Sequence, residues 1–192
     1  MHDYPSDPIT LLWIIWLAYW GIAAARVKPP VRREPALSRA AHTIPLLLAA
    51  FLLLMHRPGN ALGSRLLSWH GAGRYDAGLA LVALGLAFAV WARVFLGRNW
   101  SGIVTVKQDH ELVRRGPYRF VRHPIYTGML LAFLGTAIAQ DQWRSLIALA
   151  LVWLALWRKW KLEERFMQET FGEQYLAYRR QVPAVVPWKW PG

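Results

Sequence analysis

The chain has 192 residues, of which 55% are hydrophobic and none is Cys, and its formal net charge is +12. The absence of Cys excludes disulfides, thiolate metal sites and cysteine nucleophiles. Lys and Arg lie between long apolar runs and form no basic block interleaved with polar or aromatic residues, so the charge predicts membrane topology and no nucleic-acid partner.

Five apolar segments predict membrane-spanning helices, because a bilayer core about 30 Å thick takes roughly 20 helical residues. Two Asp residues and no Lys or Arg precede the first segment, which is therefore predicted to persist as a helix and not to be a cleaved signal. Only residues 140–142 separate the last two, which predicts an antiparallel helical hairpin. The predicted fold class is an all-α integral membrane protein whose helices cover 9–25, 44–55, 78–96, 125–139 and 143–157.

The distribution of Lys and Arg predicts the orientation of these helices. Segments 26–43, 97–124 and 158–192 hold 18 basic residues, whereas the segments on the opposite side hold three. By the positive-inside rule, the N-terminus is predicted outside and the C-terminus inside, with an odd number of spans. The two longest polar segments then share the inside face, where we expect any chemistry to occur.

A first candidate cluster precedes the fourth apolar segment. Gly116-Pro117 predicts a turn, and Pro124 suits the first position of a helix. Pro124 also excludes His123 from helical geometry, which places His123 at the mouth of that helix with Arg122 beside it. This helix end favours anions. The alternative interpretation is a basic loop that anchors the membrane interface.

A second candidate cluster, Glu163-Glu164, follows the last apolar segment. If the helix continues, Trp153, Trp157, Trp160 and Glu164 form one stripe, and a carboxylate at its end suits a cationic ligand with a flat ring. The alternatives are solvated helical charge pairs for the two Glu residues and an interfacial belt for the Trp residues.

A third cluster covers residues 171–183. Gly172 predicts a helix break, and Tyr175 and Tyr178 share one face of the following helix. Taken alone, this segment is typical of an amphipathic interfacial helix. No phosphate-binding Gly-rich loop follows a strand, and the six His residues show no metal-ligand spacing, so neither a nucleotide fold nor a metal site is predicted.

The three clusters, in this order, resemble the isoprenylcysteine carboxyl methyltransferase family and its relatives among phospholipid methyltransferases. The resemblance covers roughly residues 94–187. Its motifs are His110-Glu111-Leu112-Val113, Gly116-Pro117-Tyr118, Arg122-His123-Pro124-Ile125-Tyr126-Thr127-Gly128, Glu163-Glu164 and Phe171-Gly172-x-x-Tyr175-x-x-Tyr178-x-x-x-Val182-Pro183. It implies one domain, with N-terminal helices over 1–93 and a cofactor-binding catalytic region over 94–192.

The resemblance implies a binding site for S-adenosylmethionine between the loop before the fourth helix and the C-terminal helix. The implied cofactor-binding residues are His110, Leu112, Val113, Tyr118, His123, Tyr126, Glu163 and Glu164, and the implied catalytic residues are Arg122, His123 and Lys159. Lys159 falls where eukaryotic members have an Arg near the substrate, and Lys lacks the planar fork with which Arg binds a carboxylate through two bonds.

The favoured function is methyl transfer to a lipid-modified small molecule or peptide, above all the C-terminal carboxylate of an isoprenylated cysteine, on a cytoplasmic face and among membrane lipids. A carboxylate acceptor needs no base, whereas an amine would need His123 or Glu163 to keep it deprotonated. The alternatives are a phospholipid amine methyltransferase, an NADPH-dependent sterol or lipid reductase, and a catalytically silent membrane protein.

Overall fold

The computed structural model describes residues 7–24, 30–33, 35–54, 61–65, 73–97, 105–107 and 112–188. Six α-helices form most of this part of the chain, with short 3₁₀ turns at Ala61–Gly63 and Gly116–Arg119. The helices are α1 (Pro8–Ala24), α2 (Ala36–Leu54), α3 (Gly73–Leu96), α4 (Pro124–Gln140), α5 (Trp143–Phe171) and α6 (Glu173–Gln181).

The predicted all-α class is confirmed, with one small addition: a two-stranded antiparallel sheet of β1 (Pro30–Arg33) and β2 (Thr105–Lys107) that was not predicted. Arg32 pairs with Val106 and Arg33 with Thr105. Strands of three and four residues are too short to show the alternating pattern that predicts a strand. The sheet joins two segments that the charge pattern assigns to the same face.

The predicted helices exist, but three of them are longer than their apolar runs. Helix α2 begins at Ala36 and not at 44, α3 begins at Gly73 and not at 78, and α5 continues past 157 to Phe171. Hydropathy finds only the part of a helix that suits lipid, and the polar turns beyond it carry no such signal. The hairpin is confirmed, since α4 ends at Gln140 and α5 begins at Trp143.

The helices have the length and surface of an integral membrane protein. Helices α2 and α3 are long and apolar enough to cross a bilayer, and α1 and α4 are apolar helices of 17 residues. Large apolar side chains face outward, as at Ile15 (57% exposed), Leu47 (64%) and Phe51 (60%). The number of spans and their orientation remain predictions.

Helices α3 and α4 approach each other through facing glycines. A Cβ atom added to Gly85 would lie 2.5 Å from the carbonyl oxygen of Gly128, and one added to Gly78 would lie 2.6 Å from that of Gly135. Small residues let two helix backbones come close, which is a common way to pack helices in membranes. The backbone of α3 therefore lies directly against Gly128.

Polar contacts hold the α4–α5 hairpin at its turn, where α4 ends and α5 begins. Asp141 adopts a left-handed conformation (φ 52°), is 2% exposed and forms an ion pair with Arg74. Arg65 forms a bridge with Gln142, and the amide of Trp143 donates to the carbonyl of Ser64. The segments predicted to lie outside therefore meet at this end, away from β1 and β2.

Candidate active site

The loop before α4 places His123 as predicted. Residues Gly116–Arg119 form a 3₁₀ turn, and Pro124 occupies the first turn of α4. His123 is the N-cap residue, with φ −122° and ψ 61°, so its side chain projects from the end of the helix.

The C-terminal segment fixes the backbone of this loop. The amide of Arg122 donates to the carbonyl of Pro183 (2.8 Å), and that of His123 donates to the carbonyl of Ala184 (2.9 Å). The hydroxyl of Thr127 donates to the carbonyl of Val185 (2.7 Å). Two parts of the chain about 60 residues apart in sequence thus form one wall of the candidate site.

Arg122 and Glu164 form a buried ion pair at the centre of the site. Arg122 Nη2 and Nε lie 2.6 and 3.0 Å from Glu164 Oε1. The side chains are 9% and 7% exposed. Arg122 also donates to the backbone carbonyls of Arg179 and Val182, so most of its donors are occupied by the protein.

His123 lies between two carboxylates. Its Nδ1 is 3.5 Å from Glu163 Oε2, and its Nε2 is 3.3 Å from Glu164 Oε1. A neutral imidazole has only one N–H donor, whereas an imidazolium has two. The geometry therefore favours the protonated ring. The Tyr126 hydroxyl donates to Glu163 Oε1 at 2.5 Å and orients that carboxylate.

The pKa shifts of these groups agree with that arrangement. Burial alone would lower the pKa of His123, but its hydrogen bonds to Glu163 and Glu164 and their negative charges raise the pKa above its ordinary value. Burial would raise the pKa of Glu164, but His123 and then Arg122 lower it to about 2. The pKa of Glu163 is lowered against the effect of burial, chiefly by its bond to His123 and the charge of Lys159.

Aromatic rings form one side of the site. The His123 ring stacks on Tyr126 (centroids 5.5 Å, planes 8° apart) and faces Trp160 at 6.3 Å. Trp153 meets Trp160 edge-on at 5.6 Å, whereas Trp157 is 47% exposed. Of the predicted stripe, Trp160 and Glu164 reach the site. Lys159 Nζ lies 5.7 Å from the centre of the Tyr126 ring.

Helix α6 packs on the loop through its Tyr face. The Tyr178 hydroxyl donates to the carbonyl of Tyr118 at 2.5 Å, and Arg114 lies over the Tyr178 ring while donating to the carbonyl of Gln174. Burial, helped by the negative charge of Glu163, raises the pKa of Tyr118. Gly172 (φ 50°) separates α5 from α6, as predicted.

The structure brings most of the candidate residues together. Arg122, His123, Tyr126, Lys159, Glu163 and Glu164 form one cluster, and Tyr118 and Val113 pack into the hydrophobic core that contains Tyr126 and Trp160. Leu112 is half-buried, and His110 lies outside the described residues.

The site also contains Trp160, Tyr178 and the carbonyls of 182–184, which were not predicted as site residues. The stripe and the shared Tyr face are the signals that pointed to the two side chains. The carbonyls had no signal, because any residue supplies one.

The cluster has the chemistry to hold S-adenosylmethionine. Two ionised carboxylates suit an ammonium group or ribose hydroxyls, and Glu164 Oε2 has no hydrogen-bond partner among the described residues. The stacked faces of His123, Tyr126 and Trp160 suit a flat base or a sulfonium cation.

Comparisons with known proteins find methyltransferases. The family model described as phospholipid methyltransferase matches residues 74–174, just over half of the chain. Protein-S-isoprenylcysteine O-methyltransferase B of Arabidopsis thaliana is 33% identical over 113 residues, which are 57% of each protein. The enzyme of that name in Schizosaccharomyces pombe is 35% identical over 112 residues, or 57% of this chain and 48% of the relative. The chain thus matches about half the length of these curated relatives.

A solved structure shares the fold. It is that of a eukaryotic intramembrane Ras methyltransferase, an isoprenylcysteine carboxyl methyltransferase, with a TM-score of 0.56 and 21% identity. The match covers 96% of this chain and 69% of that one. At this identity the likeness concerns the arrangement of the helices.

Proposed function

We propose that this chain, which belongs to the phospholipid methyltransferase family, transfers a methyl group from S-adenosylmethionine to a lipid-linked carboxylate. The acceptor we favour is the C-terminal carboxylate of an isoprenylated cysteine or a similar small prenylated substrate. The observation that carries this proposal is His123, whose two ring nitrogens both face ionised carboxylates.

A protonated His123 favours a carboxylate acceptor over an amine. An amine must lose its proton before it attacks, so it needs a base, and an imidazolium cannot serve as one. The pKa values of Glu163 and Glu164 are lowered, and because of this the two carboxylates are also weak bases. A carboxylate is already a nucleophile at neutral pH, so the site only has to position it and exclude water. The names of the curated relatives support the same acceptor.

The proposed roles follow from the geometry of the cluster. Glu163 and Glu164 would hold polar groups of the cofactor, with Tyr118, His123 and Tyr126 beside them. Leu112 and Val113, and His110 by the family resemblance alone, would add further contacts to the cofactor. S-adenosylmethionine, when bound, supplies a methyl group on a sulfonium. Arg122 would orient Glu164 and the loop, and Lys159 would attract the acceptor carboxylate.

A lipid-linked acceptor also fits the apolar surface of the helices. Its hydrocarbon chain can lie between or along helices whose outward residues are apolar, while its polar end reaches the cluster at the N-terminus of α4. We propose that the chain crosses the membrane five times, with this cluster on the cytoplasmic face, because 18 basic residues lie in the segments assigned to that side.

The first experiment is calorimetry on detergent-purified protein with S-adenosylhomocysteine and NADPH, side by side. The proposal expects binding of S-adenosylhomocysteine alone. Binding of NADPH alone would overturn it in favour of a reductase, and binding of neither would remove the cofactor site.

The second experiment identifies the acceptor. An N-acetylated farnesyl cysteine, its carboxamide and phosphatidylethanolamine are each incubated with the protein and labelled S-adenosylmethionine. We expect label in the free acid only. Phosphatidylethanolamine is included because the family model is described as phospholipid methyltransferase, and its methylation in place of the acid would make the acceptor an amine.

A further inference from the structure

A basic cleft opens beside the candidate site, between the end of α6 and the segment that follows it. Its volume is about 260 Å³, and it is lined by Arg122, Arg179, Arg180, residues 182–184 and Trp188. Three of the lining residues are arginines, and none is acidic. Arg122 lies two residues before the start of α4, so the cleft lies where the polar loop meets an apolar helix.

The positive charge of this cleft is only partly balanced by the protein. Arg122 is paired with Glu164. Arg180 lies 3.7 Å from Glu173, but both side chains are largely exposed (72% and 85%), and such pairs are weak. Among the described residues, the Arg179 guanidinium has no ion-pair or hydrogen-bond partner. The cleft therefore retains up to two positive charges for an anion.

An exposed Trp lines the cleft, and an exposed Val lies two residues before it in the chain. Trp188, which lines the cleft, is 68% exposed, and Val186 is 60% exposed. Trp side chains favour the membrane interface because the indole ring is apolar while its N–H remains hydrated. An inorganic anion would gain nothing from either residue, whereas a ligand that joins an anion to hydrocarbon would contact both.

We propose that this cleft binds the phosphate of an anionic membrane lipid as a site separate from the methyl acceptor. Arg179 and Arg180 contact the phosphate, and Trp188 and Val186 lie against the start of the acyl chains. Pro183 and Ala184, which line the cleft, also supply the carbonyls that accept from the Arg122 and His123 amides. A bound lipid therefore stabilises the wall of the candidate site, and this inference does not depend on the reaction carried out there.

The test is calorimetric titration of protein in a non-ionic detergent with short-chain phosphatidylglycerol, short-chain phosphatidylcholine and inorganic phosphate. We expect phosphatidylglycerol to bind most tightly. Arg179→Gln/Arg180→Gln should weaken its binding roughly twenty-five-fold, because each basic residue near an anionic lipid surface is worth about five-fold in affinity. Trp188→Ala should weaken binding of phosphatidylglycerol but not of inorganic phosphate.

The matched control is Arg115→Gln/Arg165→Gln, which removes two exposed arginines outside the cleft. Equal losses in the two double variants, or equal affinity for the two lipids, would overturn the proposal. Inorganic phosphate binding as tightly as phosphatidylglycerol would show a phosphate site that does not recognise lipid. The S-adenosylhomocysteine affinity of the cleft variant, measured in parallel, separates this proposal from the proposed methyl transfer.

Discussion

Arg122 and Glu164 are each buried and charged, so each depends on the other. Burial of one unpaired charge costs far more than burial of a hydrogen-bonded pair. Replacement of Glu164 by Gln keeps the shape of the side chain but leaves the Arg122 guanidinium without its partner charge. We expect Glu164→Gln to lower the free energy of unfolding by about 3 kcal/mol, measured by denaturant titration in detergent micelles.

Glu169→Gln is the matched control, since Glu169 is an exposed residue of the same helix. It removes the same charge and should change stability by less than about 0.5 kcal/mol. A loss in Glu164→Gln no greater than in this control would show that the buried pair contributes nothing to stability.

The pH dependence of the cluster follows from His123. Its folded pKa is raised, so its pairing stabilises the protein fully below the ordinary value of 6.5 and is lost as the pH rises through the folded pKa. For Glu164, with a pKa of about 2, the contribution is present above 4.5 and is lost as the pH falls toward 2. The cluster is therefore most stable from about pH 5 to about 6.5.

NMR of protein that is isotopically labelled at His measures the pKa of the His123 ring directly. We expect the His123 ring to titrate above 6.5 and Glu163→Gln to lower its pKa. A ring that titrates at or below 6.5 in the wild-type protein would contradict the pairing of His123 with Glu163 and Glu164, and with it the argument against an amine acceptor.

Lys159 gives the residue-level test of acceptor binding. It lies over Tyr126 at the edge of the cluster, and its charge acts on Glu163. We expect Lys159→Gln to lower kcat/KM for the prenylated acid about ten-fold or more, while the affinity for S-adenosylhomocysteine changes little, because a lost charged contact is worth about 1.5–3 kcal/mol. Lys159→Arg, which keeps the charge, should retain most activity. Lys161→Gln, at an exposed position of the same helix, is the control, and an equal loss there would remove Lys159 from acceptor binding.

At the scale of helices, the contact between α3 and α4 depends on the absence of side chains at Gly85 and Gly128. A methyl group at Gly85 would meet the α4 backbone, which cannot move aside as a flexible side chain could. We expect Gly85→Ala to destabilise the protein by about 1–3 kcal/mol, measured by SDS-induced unfolding. Gly21→Ala is the control, since nothing lies within 4 Å of the added atom, and an equal effect there would contradict the packing argument.

Some features of the helices could be predicted from the sequence because they depend only on residues at that point of the chain. The hairpin at 140–142, the helix start at Pro124 and the break at Gly172 were predicted, because each depends on residues at that position. The pairing of Gly85 with Gly128 was not, since it joins glycines in separate helices. The β1–β2 sheet was missed for the same reason, as each strand is defined by its distant partner.

At the scale of the whole molecule, the candidate site likewise has a part that the sequence predicts and a part that depends on how distant segments pack. The sequence motifs marked Arg122, His123, Glu163 and Glu164 as candidates. Their pairing could not be predicted, because it depends on how α5 lies against the start of α4. Arg122 was predicted to be catalytic, and that role stays a prediction. The structure adds that its guanidinium already contacts Glu164 and two backbone carbonyls.

Membrane orientation is the property of the whole molecule that the charge pattern predicts and that chemical labelling can test. The chain has no Cys, so a single introduced thiol is labelled without background. Ala61 and Arg165 are both exposed, and the segments that contain them are predicted to lie outside and inside. In sealed vesicles of known orientation, a membrane-impermeant maleimide added outside should label Ala61→Cys, whereas Arg165→Cys should react only after the vesicles are opened.

Labelling of both positions from one side would mean that an even number of spans separates them, and the proposed five-span topology would be wrong. Labelling with the sides reversed would keep the separation of the two ends but move the candidate site away from the cytoplasmic face, where the 18 basic residues are predicted to lie.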